Sequence, residues 1–325
     1  MASVSTYVPS LELVERIANG EISAIARMIS RAEAGMPEAR EALAEIYQRA
    51  GRAHVIGLTG VPGSGKSTMV SALAARLRAT GSKVGIVAVD PSSPYSGGSI
   101  LGDRIRMTDL SQDAGVYIRS MATRGNMGGM ARATMDAVDI LDVGGFETII
   151  IETVGVGQDE VEIAKAADTT VVVSAPGLGD EIQAIKAGML EIADVHVVSK
   201  CDRSDAHRTL TDLKQMLTLG VKGGKKSEWR VPVVGISSFD GTGFDELMKA
   251  LEGHRAVALH SEMGRQRRVA IAGFRLTKTA ENLLMERFAR ACAPLTLDFA
   301  QRLHRHEGDP YSLAGELVAA SFGKE

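Results

Sequence analysis

The clearest chemical signal in the sequence is the segment 60–68. It reads Gly60-Val61-Pro62-Gly63-Ser64-Gly65-Lys66-Ser67-Thr68, a full match to the phosphate-binding pattern G-x-x-x-x-G-K-[ST]. Glycines at this spacing let the backbone wrap around phosphates, so that its N–H groups point inward at the start of a helix. Lys66 adds a positive charge for the β- and γ-phosphates, and the Ser67 hydroxyl is a suitable Mg²⁺ ligand. The segment therefore predicts a nucleotide phosphate-binding loop.

Two acidic residues follow apolar runs at positions where they could serve the same site. Asp90 closes the run Val87–Val89, and Glu152 closes the run Thr148–Ile151. A carboxylate at the carboxyl end of a strand can reach the metal or its bound water. Gly155 lies just beyond Glu152 and leaves a backbone N–H free to meet a γ-phosphate. Because phosphoryl transfer depends mostly on positioning and charge stabilisation, a metal, a lysine, two carboxylates and a glycine peptide suffice for it.

A third group of residues is suited to reading the nucleotide base. Asp202 follows another apolar run, and its carboxylate can accept two hydrogen bonds from the N1–H and exocyclic amine of guanine, a pattern that adenine does not offer. Lys200 can lay its aliphatic stem along the ring. The backbone N–H groups of Ser237 and Ser238 would complete the base pocket, in which we also place Phe239. These residues favour GTP over ATP.

Short β-branched runs that alternate with helical stretches would position all of these residues. The seven runs are His54–Leu58, Val84–Val89, Val116–Arg119, Thr148–Glu152, Thr170–Val173, Val195–Ser199 and Val231–Ile236. Near-continuous apolar strands separated by helices predict a mostly parallel sheet with helices on both faces. Ligands of such a sheet bind beyond the carboxyl ends of its strands, where the polar residues above fall. We therefore predict an α/β fold of the P-loop NTPase class.

Both ends of the chain read as helices. Residues 10–51 show apolar positions at helical spacing, with Asn19-Gly20 as a helix stop and Pro37 as a helix start. Past residue 253 the strand signals cease, and a long helix carries an apolar stripe. Its members are Leu276, Ala280, Leu284, Phe288 and Ala291. The stripe is covered either by its own domain or by a second copy of the chain in a homodimer.

The composition excludes several classes of protein. The 325 residues are 45% hydrophobic and 24% charged, which is typical of globular chains and excludes disordered, collagen-like and disulfide-scaffold proteins. Lys+Arg (37) and Asp+Glu (40) nearly balance, so there is no broad positive field for nucleic acid. Two cysteines fit a reducing compartment, no apolar run reaches the roughly 18–20 residues that span a bilayer, and the first residues lack a secretion signal. We expect a cytoplasmic protein without nucleic-acid or membrane partners.

Together the motifs resemble the MeaB/ArgK family, the GTPases that accompany adenosylcobalamin-dependent acyl-CoA mutases such as methylmalonyl-CoA mutase. The resemblance covers residues 10–253 well and the C-terminal helices only in general character. Beyond residues 60–68, the matching segments are Asp90-Pro91-Ser92-Ser93-Pro94, Gly97-Gly98-Ser99-Ile100-Leu101-Gly102-Asp103-Arg104, Thr123-Arg124-Gly125, Gly128-Gly129, Glu152-Thr153-Val154-Gly155-Val156-Gly157-Gln158, Gly177-Leu178-Gly179-Asp180-Glu181 and Lys186.

The resemblance implies GTP or GDP and Mg²⁺ as cofactors and a mutase as partner. The residues that it implies as metal ligands are Ser67, Asp90, Asp103 and Glu152, and those that it implies for catalysis are Lys66, Asp90, Asp103, Glu152 and Gln158. Residues 91–106 resemble a first switch, 153–160 a second, and 177–188 a segment that meets the mutase. The nucleotide state would gate loading of the mutase's cofactor and removal of inactivated cofactor.

The sequence patterns also predict that the chain is divided into three parts. These are an N-terminal helical arm (1–52), a P-loop GTPase domain (53–253) and a C-terminal helical dimerisation segment (254–325). No cobalamin-binding motif is evident in the sequence, so cofactor handling would belong to the partner.

Two residues depart from the family pattern, and two other functions remain as alternatives. Ser199 stands where the guanine-reading motif usually begins with Asn, and Asp159 follows Gln158 where the family typically has Ser.

A small-molecule kinase would need an acceptor pocket and an Arg-rich lid. A metallocentre-assembly GTPase for nickel enzymes would favour a His-rich or Cys-paired tract. The sequence shows no convincing sign of either feature.

Overall fold

The structure is a computed structural model that describes residues 7–90, 110–122, 129–153, 159–177, 189–220 and 228–322. By the density of its contacts the chain divides into two compact units, Met1–Phe274 and Arg275–Glu325. The predicted Asp103, Gly155, Gln158 and Lys186 lie outside the described residues.

The centre of the first unit is a seven-stranded sheet whose strand pairs are all parallel. The strands are β1 (His54–Gly60), β2 (Val84–Asp90), β3 (Val116–Ala122), β4 (Thr148–Thr153), β5 (Thr169–Ser174), β6 (Val195–Val198) and β7 (Val233–Gly235). Their order across the sheet is β3-β2-β4-β1-β5-β6-β7. All seven apolar runs form strands, which confirms the predicted fold class. The phosphate-loop strand β1 lies between β4 and β5, so both of its neighbours bring their carboxyl ends to the loop.

Helices cover both faces of the sheet. They are α1 (Ser10–Ala18), α2 (Ile22–Glu33), α3 (Arg40–Arg49), α4 (Lys66–Ala79), α5 (Gly129–Val143), α6 (Asp159–Ala164), α7 (Met189–Ile192), α8 (Ala206–Gly220) and α9 (Phe244–His260). Short 3-10 turns span Pro37–Ala39 and Leu110–Gln112. One apolar core joins α1–α3 and α5 to one face of the sheet, and a second joins α4 and α9 to the other.

The N-terminal helices belong to the core of the first unit. Ile25, Met28 and Ile29 of α2 are fully buried in the same cluster as Ile140 of α5. The segment that precedes β1 is hydrogen-bonded to α5 as well. Asp142 Oδ2 accepts the backbone N–H groups of residues 51 and 52 at 2.6 and 2.8 Å. Helical periodicity predicts these helices, and their burial shows that they pack on the central sheet.

The long helix α10 (Glu262–Cys292) begins in the first unit and continues into the second. The second unit also contains α11 (Thr296–His304) and α12 (Pro310–Phe322). Asp309 caps α12, since its Oδ1 accepts the N–H groups of Tyr311 and Ser312 at 2.9 and 3.1 Å. Leu313 is the one large apolar side chain classed as buried in the described part of this unit.

Across the described ranges, no helix combines the length and the apolar character that crossing a bilayer requires.

Candidate functional site

The segment 60–68 forms the turn between β1 and α4, as its pattern predicts. Gly60 has a φ of 144°, and a Cβ at this position would lie 2.1 Å from the Val173 carbonyl oxygen of β5, so a larger residue does not fit. Gly63 and Gly65 have φ values of 75° and 86°. This left-handed backbone favours glycine and turns successive N–H groups toward one side of the loop. The loop thus has the conformation of an anion cradle at the start of α4.

The charged and hydroxyl side chains of the loop meet Glu152 at the end of β4. Lys66 is buried, and its Nζ donates to the carbonyl oxygens of Gly60 and Val61 at 2.6 and 3.0 Å. The Ser67 hydroxyl donates to Glu152 Oε1 at 2.7 Å, and Glu152 is only 1% exposed. The structure therefore joins residues of two separate motifs, as strand-end placement predicts.

Asp90 ends the strand next to β4. The parallel register pairs Ala88 with Glu152, so the backbone of Asp90 lies at the same edge of the sheet as the Ser67–Glu152 contact. Among the described residues, no group of three or more His, Cys, Asp or Glu side chains is arranged to hold a metal. Oxygen donors contributed singly by a helix start and by strand ends suit Mg²⁺, which binds few protein ligands and keeps several waters.

The predicted base-reading loop is attached to the phosphate loop. The buried Ser199 hydroxyl lies 2.5 Å from the Ser64 carbonyl oxygen and 3.1 Å from that of Ser174. Lys200 has a φ of 54°, and its Nζ donates to the Gly63 carbonyl oxygen at 2.8 Å. Asp202 is exposed. The Ser199 hydroxyl therefore joins this loop to the phosphate loop and to the end of β5.

The neighbouring segment 237–243 is closed by a hydrogen bond from Ser237 N to the Thr242 carbonyl oxygen at 3.0 Å, so the Ser237 N–H that we predicted to face the base is already bonded within the loop. Ile236 N donates to the Val198 carbonyl oxygen at 2.8 Å, and Cys201 N donates to the Ile236 carbonyl oxygen at 2.9 Å. Burial raises the pKa of the Cys201 thiol, so this cysteine is not an activated nucleophile. Ser237 is buried and Ser238 partly buried, whereas Phe239 is 92% exposed.

The opposite edge of the sheet holds a polar network that sequence reasoning missed. His54 Nε2 lies 2.7 Å from Thr169 Oγ1, which lies 2.8 Å from His254 Nδ1. Arg267 of α10 reaches both oxygens of Asp194, at 2.9 and 2.7 Å, and donates to Thr170 Oγ1 at 2.9 Å.

The sequence gives little sign of this network. Its residues come from five elements or links that are far apart in the chain. Within any one of these elements, a single histidine looks like an ordinary buried core residue. Burial, with smaller contributions from the charges of Arg255 and His254, lowers the pKa of His54 to about 3. The network lies at the amino ends of β1 and β5, away from the phosphate loop at their carboxyl ends.

Comparison with known proteins points to one family of nucleotide-binding proteins. The family described as "Methylmalonyl Co-A mutase-associated GTPase MeaB" matches residues 25–293. A putative GTPase of Pyrococcus horikoshii is 41% identical over 317 residues, which are 97% of this chain and 99% of the relative. The GTPase ArgK of Escherichia coli is 35% identical over 246 residues, 74% of each chain. The crystal structure of a LAO/AO transport system kinase has a TM-score of 0.68 and 25% identity, covering 95% of this chain and 96% of the other.

Proposed function

The chain belongs to the MeaB family of methylmalonyl-CoA mutase-associated GTPases, and we propose that its GTPase activity gates cofactor loading and removal of inactivated cofactor on an adenosylcobalamin-dependent acyl-CoA mutase. The observation that carries this proposal is the family match across residues 25–293, which includes every predicted nucleotide-site motif and all of α10. The relatives are themselves named GTPases.

Within this proposal, residues 60–68 bind the phosphates of the nucleotide. The loop N–H groups and the start of α4 stabilise the negative charge, and Lys66 supplies a point charge near the β- and γ-phosphates. The contact of Lys66 Nζ with two loop carbonyls supports this role, because it holds the ammonium group within the loop. The further positions Asp103, Gly155 and Gln158, outside the described residues, keep the roles that the family resemblance implies.

The residues fit Mg²⁺ as a cofactor. Ser67 and Glu152 are in contact, Asp90 ends the neighbouring strand, and all three offer the hard oxygen donors that this ion prefers. When bound, the ion would neutralise charge that develops on the transferring phosphoryl group. The protein's own part is to hold these oxygens at the mouth of the loop and to place Lys66 beside them.

Guanine recognition is proposed for Asp202, with Lys200 along one face of the base. The bond from Lys200 to the Gly63 carbonyl oxygen stretches the lysine stem across the edge of the phosphate loop, which supports this placement. Ser237 and Ser238 lie beside this loop through the backbone bonds of Ile236. A flat base inserted here meets a carboxylate at its edge and an aliphatic chain on its face.

The partner and the assembly are also proposed. Residues 177–188, with Asp180, Glu181 and Lys186, would contact the mutase, which the family's own description supports. A homodimer through the second unit is supported by its exposed apolar side chains. Among them Leu276 is 72%, Leu284 56% and Leu297 70% exposed. The cytoplasmic location stays a prediction from the sequence.

Nucleotide binding by a variant of the phosphate loop tests the proposed site. Lys66→Ala removes a charge-assisted contact worth about 1.5–3 kcal/mol, so GTP affinity should fall by roughly tenfold to more than a hundredfold in calorimetry. Lys249→Ala, which removes an exposed lysine of α9, is the matched control and should bind GTP like the wild type. Unchanged GTP binding by Lys66→Ala would contradict the assignment.

A further inference from the structure

Arg76 is a partly buried arginine of α4, the helix that begins with Lys66 of the phosphate loop. At a rise of about 1.5 Å per residue, its backbone lies roughly 15 Å along the helix from that of Lys66. None of the nucleotide-site motifs in the sequence contains this arginine. Its guanidinium group contacts the segment 237–243, which carries the two serines predicted for the base pocket.

Arg76 holds this segment at two points. Its Nη2 donates to the Gly241 carbonyl oxygen at 3.1 Å, and its Cζ lies 4.1 Å from the ring centroid of Phe244. Phe244 is the fully buried first residue of α9 and follows the segment directly. A guanidinium group over an aromatic face is attracted by the π electrons of the ring. One side chain of α4 therefore contacts both the segment and the start of the helix that follows it.

The contact with Gly241 is closely fitted on both sides. Gly241 has a φ of 82°, which favours glycine, and a Cβ at this position would lie 2.8 Å from Arg76 Nη2. Arg76 Nη1 donates to the Ala72 carbonyl oxygen of its own helix at 3.3 Å, so the guanidinium group is also held from the side of α4.

Internal hydrogen bonds give the segment its shape. Thr242 N donates to Asp240 Oδ1 at 2.9 Å, and Gly241 N donates to the Ser237 carbonyl oxygen at 3.0 Å. In the part of the chain that the structure describes, Arg76 supplies the one hydrogen bond that the segment receives from a side chain outside it. The arginine is thus the polar link between this compact turn and the helix of the phosphate loop.

We propose that Arg76 is a positioning residue for the bound nucleotide, because it holds the segment 237–243 at a fixed distance from the phosphate loop. The base and the phosphates of one GTP molecule then meet their two subsites together. This inference rests on the proposed nucleotide site. Without the guanidinium group, the segment would have to be ordered as GTP binds, and the cost of ordering a loop lowers affinity.

Calorimetry with two ligands separates this role from a general effect on the fold. Arg76→Ala should weaken GTP binding by about 3-fold to 10-fold. Inorganic tripolyphosphate, which has no base, should bind Arg76→Ala and the wild type alike. Arg76→Lys keeps a cation for the Phe244 ring and a donor for the Gly241 carbonyl oxygen, so it should restore most of the GTP affinity. Arg27→Ala, at an exposed arginine of α2, should change neither affinity.

Steady-state hydrolysis gives a second readout. Since Arg76 acts on binding and not on the chemical step, Arg76→Ala should raise the KM for GTP and leave kcat unchanged.

Three results would overturn the proposal. The first is wild-type GTP affinity in Arg76→Ala. The second is an equal loss of tripolyphosphate affinity, which would make Arg76 a general support of the phosphate loop. The third is a lower kcat at unchanged KM. Each of them leaves the effect of Lys66→Ala on GTP binding, and with it the proposed function, in place.

Discussion

Single residues in the proposed base-reading loop have separable tasks. Ser199 and Lys200 bond to carbonyl oxygens of the phosphate loop, whereas Asp202 is exposed. The serine that replaces the family's usual asparagine thus still links the two loops. Its short side chain makes this contact from a buried position, and the carboxylate of Asp202 remains the group suited to reading the base edge.

Asp202→Asn should therefore change which nucleotide is preferred. The amide offers a donor where the carboxylate accepts, so the preference for GTP over ATP should disappear and binding should shift toward xanthosine triphosphate, which presents an acceptor in place of the guanine amine. Competition binding of the three triphosphates measures this shift. Asp205→Asn, in the same loop, should keep the wild-type order. A variant of Asp202 that still selects GTP as the parent does would remove this residue from base recognition.

His54 should make folding stability sensitive to acid. Its pKa falls from 6.5 to about 3 on folding, chiefly because burial disfavours the charged ring. Between these values the unfolded chain binds the proton and the folded chain does not, so this contribution to stability is present above pH 6.5 and is lost as the pH falls. From pH 7.5 to pH 5 the free energy of unfolding should fall by about 2 kcal/mol for this reason.

Urea unfolding at pH 7.5 and 5 measures this loss. His54→Gln can retain a hydrogen bond to Thr169 without titrating, so its free energy of unfolding should fall by about 2 kcal/mol less than that of the wild type over the same range. His207→Gln, at an exposed histidine, should behave like the wild type. Equal losses in wild type and His54→Gln would show that the ring does not titrate in this way.

At the scale of secondary structure, local pattern predicts the elements but not all of their contacts. The apolar runs predict every strand among the described residues, and parallel pairing predicts from sequence alone that Ser67 and Glu152 lie at one edge of the sheet. The run Val231–Ile236 forms a strand only over Val233–Gly235, because Pro232 has no N–H to donate to a sheet ladder. Periodicity also predicts that α2 buries one face. Periodicity does not predict that α5 covers this face, because contacts between helices form between residues that are distant in sequence.

The attachment of α10 to the sheet is another contact of this kind. Arg267 bonds to Asp194 and Thr170, and its Nε donates to the Ala167 carbonyl oxygen at 3.1 Å. Arg267→Gln should lower the free energy of unfolding by about 2–4 kcal/mol, because it leaves the largely buried Asp194 without its cation.

Chemical denaturation of the full chain measures this effect. Arg265→Gln is the matched control on the same helix, where the pair with Glu262 is exposed and screened by solvent, so its loss should change the free energy of unfolding little. Similar stability losses in the two variants would mean that Arg267 does no more than an ordinary surface charge.

At the scale of the whole molecule, the exposed apolar side chains of the second unit bear on assembly. Replacing Leu276 and Leu284 together by Glu would place charges on the predicted stripe, so a wild-type dimer should become a monomer in sedimentation equilibrium. Thr277→Glu adds a charge to an exposed position of the same helix turn and should leave the dimer intact. A double variant that remains dimeric would place the subunit contact elsewhere.

The central claim is that nucleotide turnover is coupled to a mutase, and steady-state hydrolysis with and without a saturating methylmalonyl-CoA mutase tests it most directly. Coupling between two sites is a free energy separate from the chemistry of either, so the mutase should accelerate GTP hydrolysis by the wild type. ATP hydrolysis and the Lys66→Ala variant should show no comparable acceleration. A GTP hydrolysis rate that is the same with and without the mutase would contradict the account.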